Sequence, residues 1–261
     1  MASLRRLRSH APGHQTAGVT EPPAVNVQQA AGTSAQAIQS AVDAYREDLG
    51  PLNPNQPGSL GSGRREINWD GVPDRFAAPN LLPPDFFNVN SPREVVFSTR
   101  GEGFQVSANA GIAPIEFDNI NPSYSSLFAT FSPQRLFTAL GSTTMEVRFF
   151  EPGSSTPATT SGFGAVFTDV DRPGTKIEYF DEWGQTLGSF DVPTSPGRET
   201  LSFLGVRFLD RRVARVRITS GNTALGPDER KDRDLVVMDD FIFGEPIPTG
   251  ARLNPQPEPP G

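Results

Sequence analysis

The sequence predicts an all-β fold, an antiparallel jelly-roll-like β-sandwich with one short N-terminal helix and disordered tails. Three observations carry this. The chain of 261 residues has 19 phenylalanines, and only Phe76 precedes position 85 while only Phe243 follows 241. Rings of this kind, interleaved with valines, suit a pleated surface. Gly (25) and Pro (26) together approach a fifth of the chain, which fits many turns rather than long helices. From Arg64 onward short apolar runs recur roughly every ten residues, with no alternation of strand and helix patterns that would announce a parallel α/β sheet.

The elements follow in order. Residues 1–32 are rich in Ala, Gly, Pro, Gln and Thr without periodicity and read as a disordered tail. Residues 33–63 read as a short helix and a linker. Ile38, Val42, Tyr45 and Leu49 fall at helical spacing, Thr33 with Gln36 forms a capping box, and Gly50-Pro51 stops the helix. The linker is GPLNPNQPGSLGSG. Residues 64–245 form the sandwich domain, with strands near 65–69, 94–98, 103–108, 114–117, 127–131, 135–138, 144–150, 162–168, 175–180, 186–191, 200–204, 206–209, 213–219 and 235–243. In Val213–Ile218 the arginines alternate with apolar residues, as a half-buried strand requires. Residues 246–261 contain six prolines and read as an extended tail. Both tails are expected to be trimmable without loss of stability.

Composition excludes several chemistries. There is no cysteine, so disulfides and thiolate sites are absent. Both histidines, His10 and His14, lie in the N-terminal tail, which removes histidine-based catalysis and histidine metal ligation from the β region. The net charge of −7 belongs to the β region, because residues 1–60 carry four basic and four acidic side chains and the tail carries Arg252 and Glu258. An acidic domain is a poor nucleic-acid binder, and the local exception, Arg211, Arg212, Arg215 and Arg217, reads as a solvated strand face and turn. No apolar run is long enough to span a membrane. The basic start MASLRRLRSH is not followed by an apolar h-region, so a Sec signal is not visible.

Two groups of acidic residues could carry chemistry. Glu66, Asn68 and Asp70 alternate onto one strand face, and Asp239 and Asp240 lie in the last strand. First and last strands of a jelly roll commonly share a sheet. The groups would then converge, and oxygens without a compensating base suit Ca²⁺. Alternation allows only one of Asp239 and Asp240 to join the first group. A further acidic pair is Asp169 and Asp171, before an Arg-Pro-Gly turn. Paired carboxylates also serve glycoside hydrolysis, but a turn carboxylate lacks the burial that would keep one protonated. Trp183, in the predicted turn Asp181–Gly184, is the most exposed candidate for stacking on a sugar ring.

The runs Gly162–Asp171, Lys176–Asp181, Leu201–Val206, Ala214–Asn222 and Val237–Gly244, preceded by Arg64–Gly71 and Ser132–Phe137, together resemble a family of uncharacterised bacterial exported β-sandwich proteins. Many members carry a PEP-CTERM sorting signal. The resemblance covers residues 35–246 and implies an extracellular or cell-surface location, with no activity to transfer; the missing h-region leaves the cytoplasm as the alternative. The function expected is a non-catalytic binding or adhesion module whose loops recognise a glycan or matrix polymer, with Trp183, Asp169 and Asp171 as ligand contacts and a structural calcium ion at Glu66, Asn68, Asp70, Asp239 and Asp240. The alternatives are a carboxylate-dependent glycoside hydrolase or polysaccharide lyase, and a purely structural surface protein.

Overall fold

The computed structural model describes residues 22–108, 116–151, 153–210, 212–227 and 232–250. In chain order its strands are β1 (Val25–Gly32), β2 (Arg64–Ile67), β3 (Val95–Thr99), β4 (Gly103–Val106), β5 (Phe137–Leu140), β6 (Thr144–Phe149), β7 (Ala158–Thr159), β8 (Gly162–Thr168), β9 (Lys176–Phe180), β10 (Thr186–Asp191), β11 (Leu201–Phe208), β12 (Arg215–Thr219), β13 (Val237–Gly244) and β14 (Ile247–Pro248). The helices are α1 (Ala35–Leu49) and the single turn α2 (Phe86–Val89).

The strands form an antiparallel two-sheet sandwich, as the sequence predicts. One sheet runs β1-β11-β8-β13-β5-β4, with β2 also paired to β13; the other runs β10-β9-β12-β6-β3. The facing sides meet in a core of Val95, Phe97, Val147, Tyr179 and Ile218 from the smaller sheet against Phe163, Phe167, Val206, Phe241 and Phe243 from the larger. Trp69 sits within it, stacked on Phe137 at 3.9 Å between ring centroids, with its indole N–H donating to the Asp239 carbonyl at 2.8 Å. The expected meeting of early and late strands is present: β2 lies antiparallel to β13, with Ile67 opposite Phe241 and Glu66 opposite Ile242.

The helix forms where its apolar spacing predicts, and Ile38, Val42, Tyr45 and Leu49 are buried. Its cap differs from expectation. Ser34, not Thr33, has the extended backbone of an N-cap, and its hydroxyl accepts from the Ala37 N–H at 3.3 Å. Gly50, at φ 100°, ends the helix in a conformation only glycine adopts readily. The buried stripe covers the outer face of the larger sheet, packing on Val166, Leu201, Phe203 and Ile242. Tyr45 drops into a trough left by glycines: a Cβ at Gly205 would stand 2.6 Å from its ring, and one at Gly164 2.9 Å. Its hydroxyl donates to the Val206 carbonyl at 3.1 Å.

Several sequence expectations are corrected. Residues 25–32 are no loose tail: β1 pairs along its full length with β11, from Val25 opposite Phe208 to Gly32 opposite Leu201. Its sequence, VNVQQAAG, hides this because an edge strand half-covered by α1 needs few large apolar side chains. The linker is fastened at its end, where the Asn53 N–H donates to the Arg64 carbonyl and the Glu245 carboxylate accepts from the Leu60 N–H at 2.8 Å. The predicted strand at 127–131 is irregular chain, while the two predicted at 200–204 and 206–209 are the single strand β11. The strand expected at 114–117 lies partly outside the described residues, and its last two, Glu116 and Phe117, have positive φ, so they form a turn. At the other end, β14 pairs with β7, and the remainder of the proline-rich tail lies outside the described residues.

Candidate functional site

The acidic residues of β2 and β13 come together, and the reason both Asp239 and Asp240 take part is a bulge. Between Met238 and Phe241 the register of β13 against β8 slips by one residue, which defeats the alternation that would place the two carboxylates on opposite faces. Asp239 Oδ2 accepts from the backbone N–H groups of Phe131 (2.6 Å) and Ser132 (3.2 Å). The Ser132 hydroxyl lies 2.6 Å from Asp240 Oδ1 and 3.3 Å from Asp239 Oδ1. Glu66 accepts from Arg46 through both oxygens, at 3.1 and 2.9 Å, and from Arg64 at 2.6 Å. Arg46 also stands 3.6 Å from Asp240.

Asp70 leaves this group. Trp69 adopts φ 65°, which breaks the strand, and Asp70 Oδ1 then accepts from the Gln134 N–H (2.7 Å) and the Arg135 N–H (3.1 Å). Asn68 is exposed. The carboxylates expected to face a cation therefore accept protein donors. Arg46, contributed by α1, supplies the base whose absence pointed to calcium. Among the described residues no group of three or more acidic or histidine side chains is arranged to hold a metal ion. Asp70, Asp239 and Asp240 fasten the segment 131–135 to the larger sheet.

Burial pushes the Asp240 carboxyl up to about 6, and burial with the neighbouring Asp240 charge holds Asp239 well above the ordinary carboxylate range. A carboxyl raised on folding contributes stability below its unfolded value and loses it as pH rises through the folded one. Asp240→Asn is accordingly expected to gain on the native protein as pH climbs from about 4 to 6 and to hold that difference above it. Urea unfolding at a series of pH values measures this; a difference independent of pH would contradict the placement.

Asp169 and Asp171 serve the loop after β8. Asp169, at φ 68°, is buried, and its N–H donates to the Thr200 carbonyl at 3.1 Å. Asp171 Oδ1 accepts from the Gly197 N–H at 2.7 Å, and its own N–H donates to Asp234 at 3.0 Å. Neither lies with Trp183.

Among the described residues Trp183 is the most exposed large apolar side chain, at 76%. It occupies the turn between β9 and β10, held by one residue: Asp181 Oδ1 accepts from the N–H groups of Trp183 (3.0 Å) and Gln185 (2.8 Å), and Gly184 at φ 79° completes the reversal. The indole borders an open cleft of about 850 Å³, shared with Glu182, Gln185, Asp210 and Arg212. The far wall comes from the chain entering β1, where the Ala24 N–H donates to Asp210 at 3.2 Å. Arg212 is fixed by donating to the Thr159 hydroxyl at 3.0 Å and to its carbonyl. No carboxylate lies within ion-pair reach of it among the described residues, and burial lowers its affinity for its proton. Sequence reasoning saw Arg212 only as one of four clustered arginines and missed Asp210. The two reach Trp183 through the fold, and no spacing announces it.

Comparison with protein-family models, with curated proteins and with solved structures finds no match to this chain.

Proposed function

We propose that the protein is a non-catalytic glycan-binding module and that the cleft beside Trp183 is its binding site. The observation that carries this is an indole 76% exposed on a turn that its own hydrogen bonds make rigid, bordering a cleft lined with polar groups. A sugar ring presents an apolar face with hydroxyls around its edge. The indole offers the matching flat surface, and Gln185, Glu182, Asp210 and the fixed Arg212 guanidinium offer donors and acceptors around it. Leaving a large apolar side chain in water has a cost, which a binding partner recovers. Of the carboxylates considered for a hydrolase, Glu66, Asp169, Asp171 and Asp240, Glu66 accepts from Arg46, Asp240 from Ser132 and Asp171 from the Gly197 N–H. The family resemblance supplies the setting, an extracellular or surface location where polymeric glycans are met.

The chain has two tryptophans, and the other, Trp69, is 1% exposed in the core. Intrinsic fluorescence change on ligand addition therefore reports Trp183. Titration with a panel of soluble neutral oligosaccharides is expected to blue-shift or quench the emission for at least one member. Trp183→Ala should weaken that binding on the order of tenfold, equivalent to losing about 1.4 kcal/mol of stacking with the associated contact area, while the melting temperature stays unchanged. A panel that leaves the emission untouched sinks the proposal.

A further inference from the structure

The outer face of the smaller sheet has a different chemistry from the Trp183 turn, which joins two of its strands. On β9, β12 and β6 the inward residues are fully buried, and the residues between them, Lys176, Glu178, Arg217, Thr219, Thr144 and Glu146, look outward. The strand register sets Glu178, Arg217, Glu146 and Ser98 side by side across four strands, about 4.8 Å apart at each step. Glu146 is the centre of this row. It meets Arg215 at 2.6 Å, Arg217 at 2.9 Å and Arg148 at 3.6 Å. One carboxylate cannot neutralise three guanidiniums, so positive charge is left over. Lys176 is matched by Glu178 at 3.7 Å and lies opposite Asp191, so the excess rests on the arginines. Arg100, exposed where β3 ends, has no carboxylate within ion-pair reach among the described residues. This face is thus cationic on a chain whose net charge is −7.

An open cleft of about 650 Å³ runs over it, bordered by Arg100, Lys176 and Arg217. Between these cations stand the hydroxyls of Ser98, Thr144 and Thr219, none with a protein partner among the described residues.

We infer that this face is a second ligand site, one that binds an acidic polysaccharide through its uronate carboxylates. The cations at the cleft edges meet the carboxylates, and the hydroxyls together with Glu178 take the sugar hydroxyls. The carboxylates of Glu146 and Glu178 in the cleft floor oppose a dense phosphate backbone, which favours a polymer whose charges are separated by neutral hydroxylated surface. The site stands independently of the Trp183 cleft.

The test is affinity electrophoresis of the full chain through gels containing polygalacturonate, with a neutral polysaccharide gel and a single-stranded DNA probe alongside. Polygalacturonate is expected to retard the native protein. The exposed pair Arg100→Gln with Lys176→Gln should weaken that retardation at least on the order of tenfold, and so should raising the salt to a Debye length of about 3 Å. Trp183→Ala should leave it intact. Absence of retardation, retardation indifferent to the double variant, equal loss in Trp183→Ala, or tighter binding of DNA than of polygalacturonate would each overturn the assignment. Failure of the Trp183 cleft to bind neutral sugars leaves this result standing, so the two readings are separated.

Discussion

Glu94→Gln is expected to stabilise the protein at neutral pH, and by more as the solution becomes more alkaline. Arg65, Glu94 and Glu245 are all buried, two carboxylates around one guanidinium. Glu245 has the better share. It accepts from Arg65 Nε at 2.6 Å and Nη2 at 2.9 Å, from Asn53 at 2.8 Å and from the Leu60 N–H at 2.8 Å. Glu94 approaches Arg65 at 2.7 Å, but neither of its oxygens has a hydrogen-bond partner. Burial, reinforced by the Glu245 charge and only partly offset by Arg65, pushes the Glu94 carboxyl up to about 9 from an ordinary 4.5. A carboxyl raised on folding favours the folded state below its unfolded value and disfavours it progressively as pH rises to the folded one. At pH 7 the native protein therefore forfeits about 3 kcal/mol relative to a neutral isostere. The difference between Glu94→Gln and native should widen from about pH 5 to 9 with a slope approaching 1.4 kcal/mol per pH unit. Glu245→Gln should do the opposite at neutral pH, because it strips the main partner from a buried guanidinium, a loss on the order of 3–5 kcal/mol. Denaturant titrations across that range decide it, and a pH-independent difference for Glu94→Gln would show that the carboxyl is charged in the fold.

Tyr45→Ala should cost about 3–5 kcal/mol, the usual range for emptying a buried aromatic site. The ring fills a trough that exists only because Gly162, Gly164 and Gly205 lack side chains, so nothing nearby can collapse into the space. Gly205→Ala should be destabilising for the converse reason, by about 1–3 kcal/mol, since its methyl would lie 2.6 Å from the Tyr45 ring. The two effects share one volume and should not add: with Tyr45 already removed, Gly205→Ala should cost little or nothing. Equal cost of Gly205→Ala in both backgrounds would mean that the glycine is required for some other reason than room for the ring.

The sandwich was legible because its strands obey a period of two over long stretches, as in β9, β12 and β6, and because turn residues separate them. The helix was legible because Ile38, Val42, Tyr45 and Leu49 mark one face. What escaped was structure held by backbone rather than by side chains. Strand β1 has only two valines, and its place follows from the unpaired edge of β11 that it covers. The acidic group was half legible. The pairing of β2 with β13 was predicted, so Glu66 and the β13 carboxylates were expected together. The bulge that admits both Asp239 and Asp240, and the Arg46 that answers them from a different element, have no local signature. Trp183 was picked out by its turn chemistry; its neighbours Asp210 and Arg212 come from a connection some thirty residues downstream and could be found only in three dimensions.

Strand β13 occupies the middle of the larger sheet and is also the last long strand of the chain. It has β8 on one flank and shares the other between β5 and β2. During synthesis every other strand of that sheet leaves the ribosome first. Until β13 follows, β1, β11 and β8 form one fragment, β5 and β4 another, and β2 stands alone. Each fragment then presents unpaired strand edges, the surfaces through which partly made β proteins associate with one another. Closure of this sheet consequently waits for β13 and proceeds through contacts between remote segments, which favours slow folding.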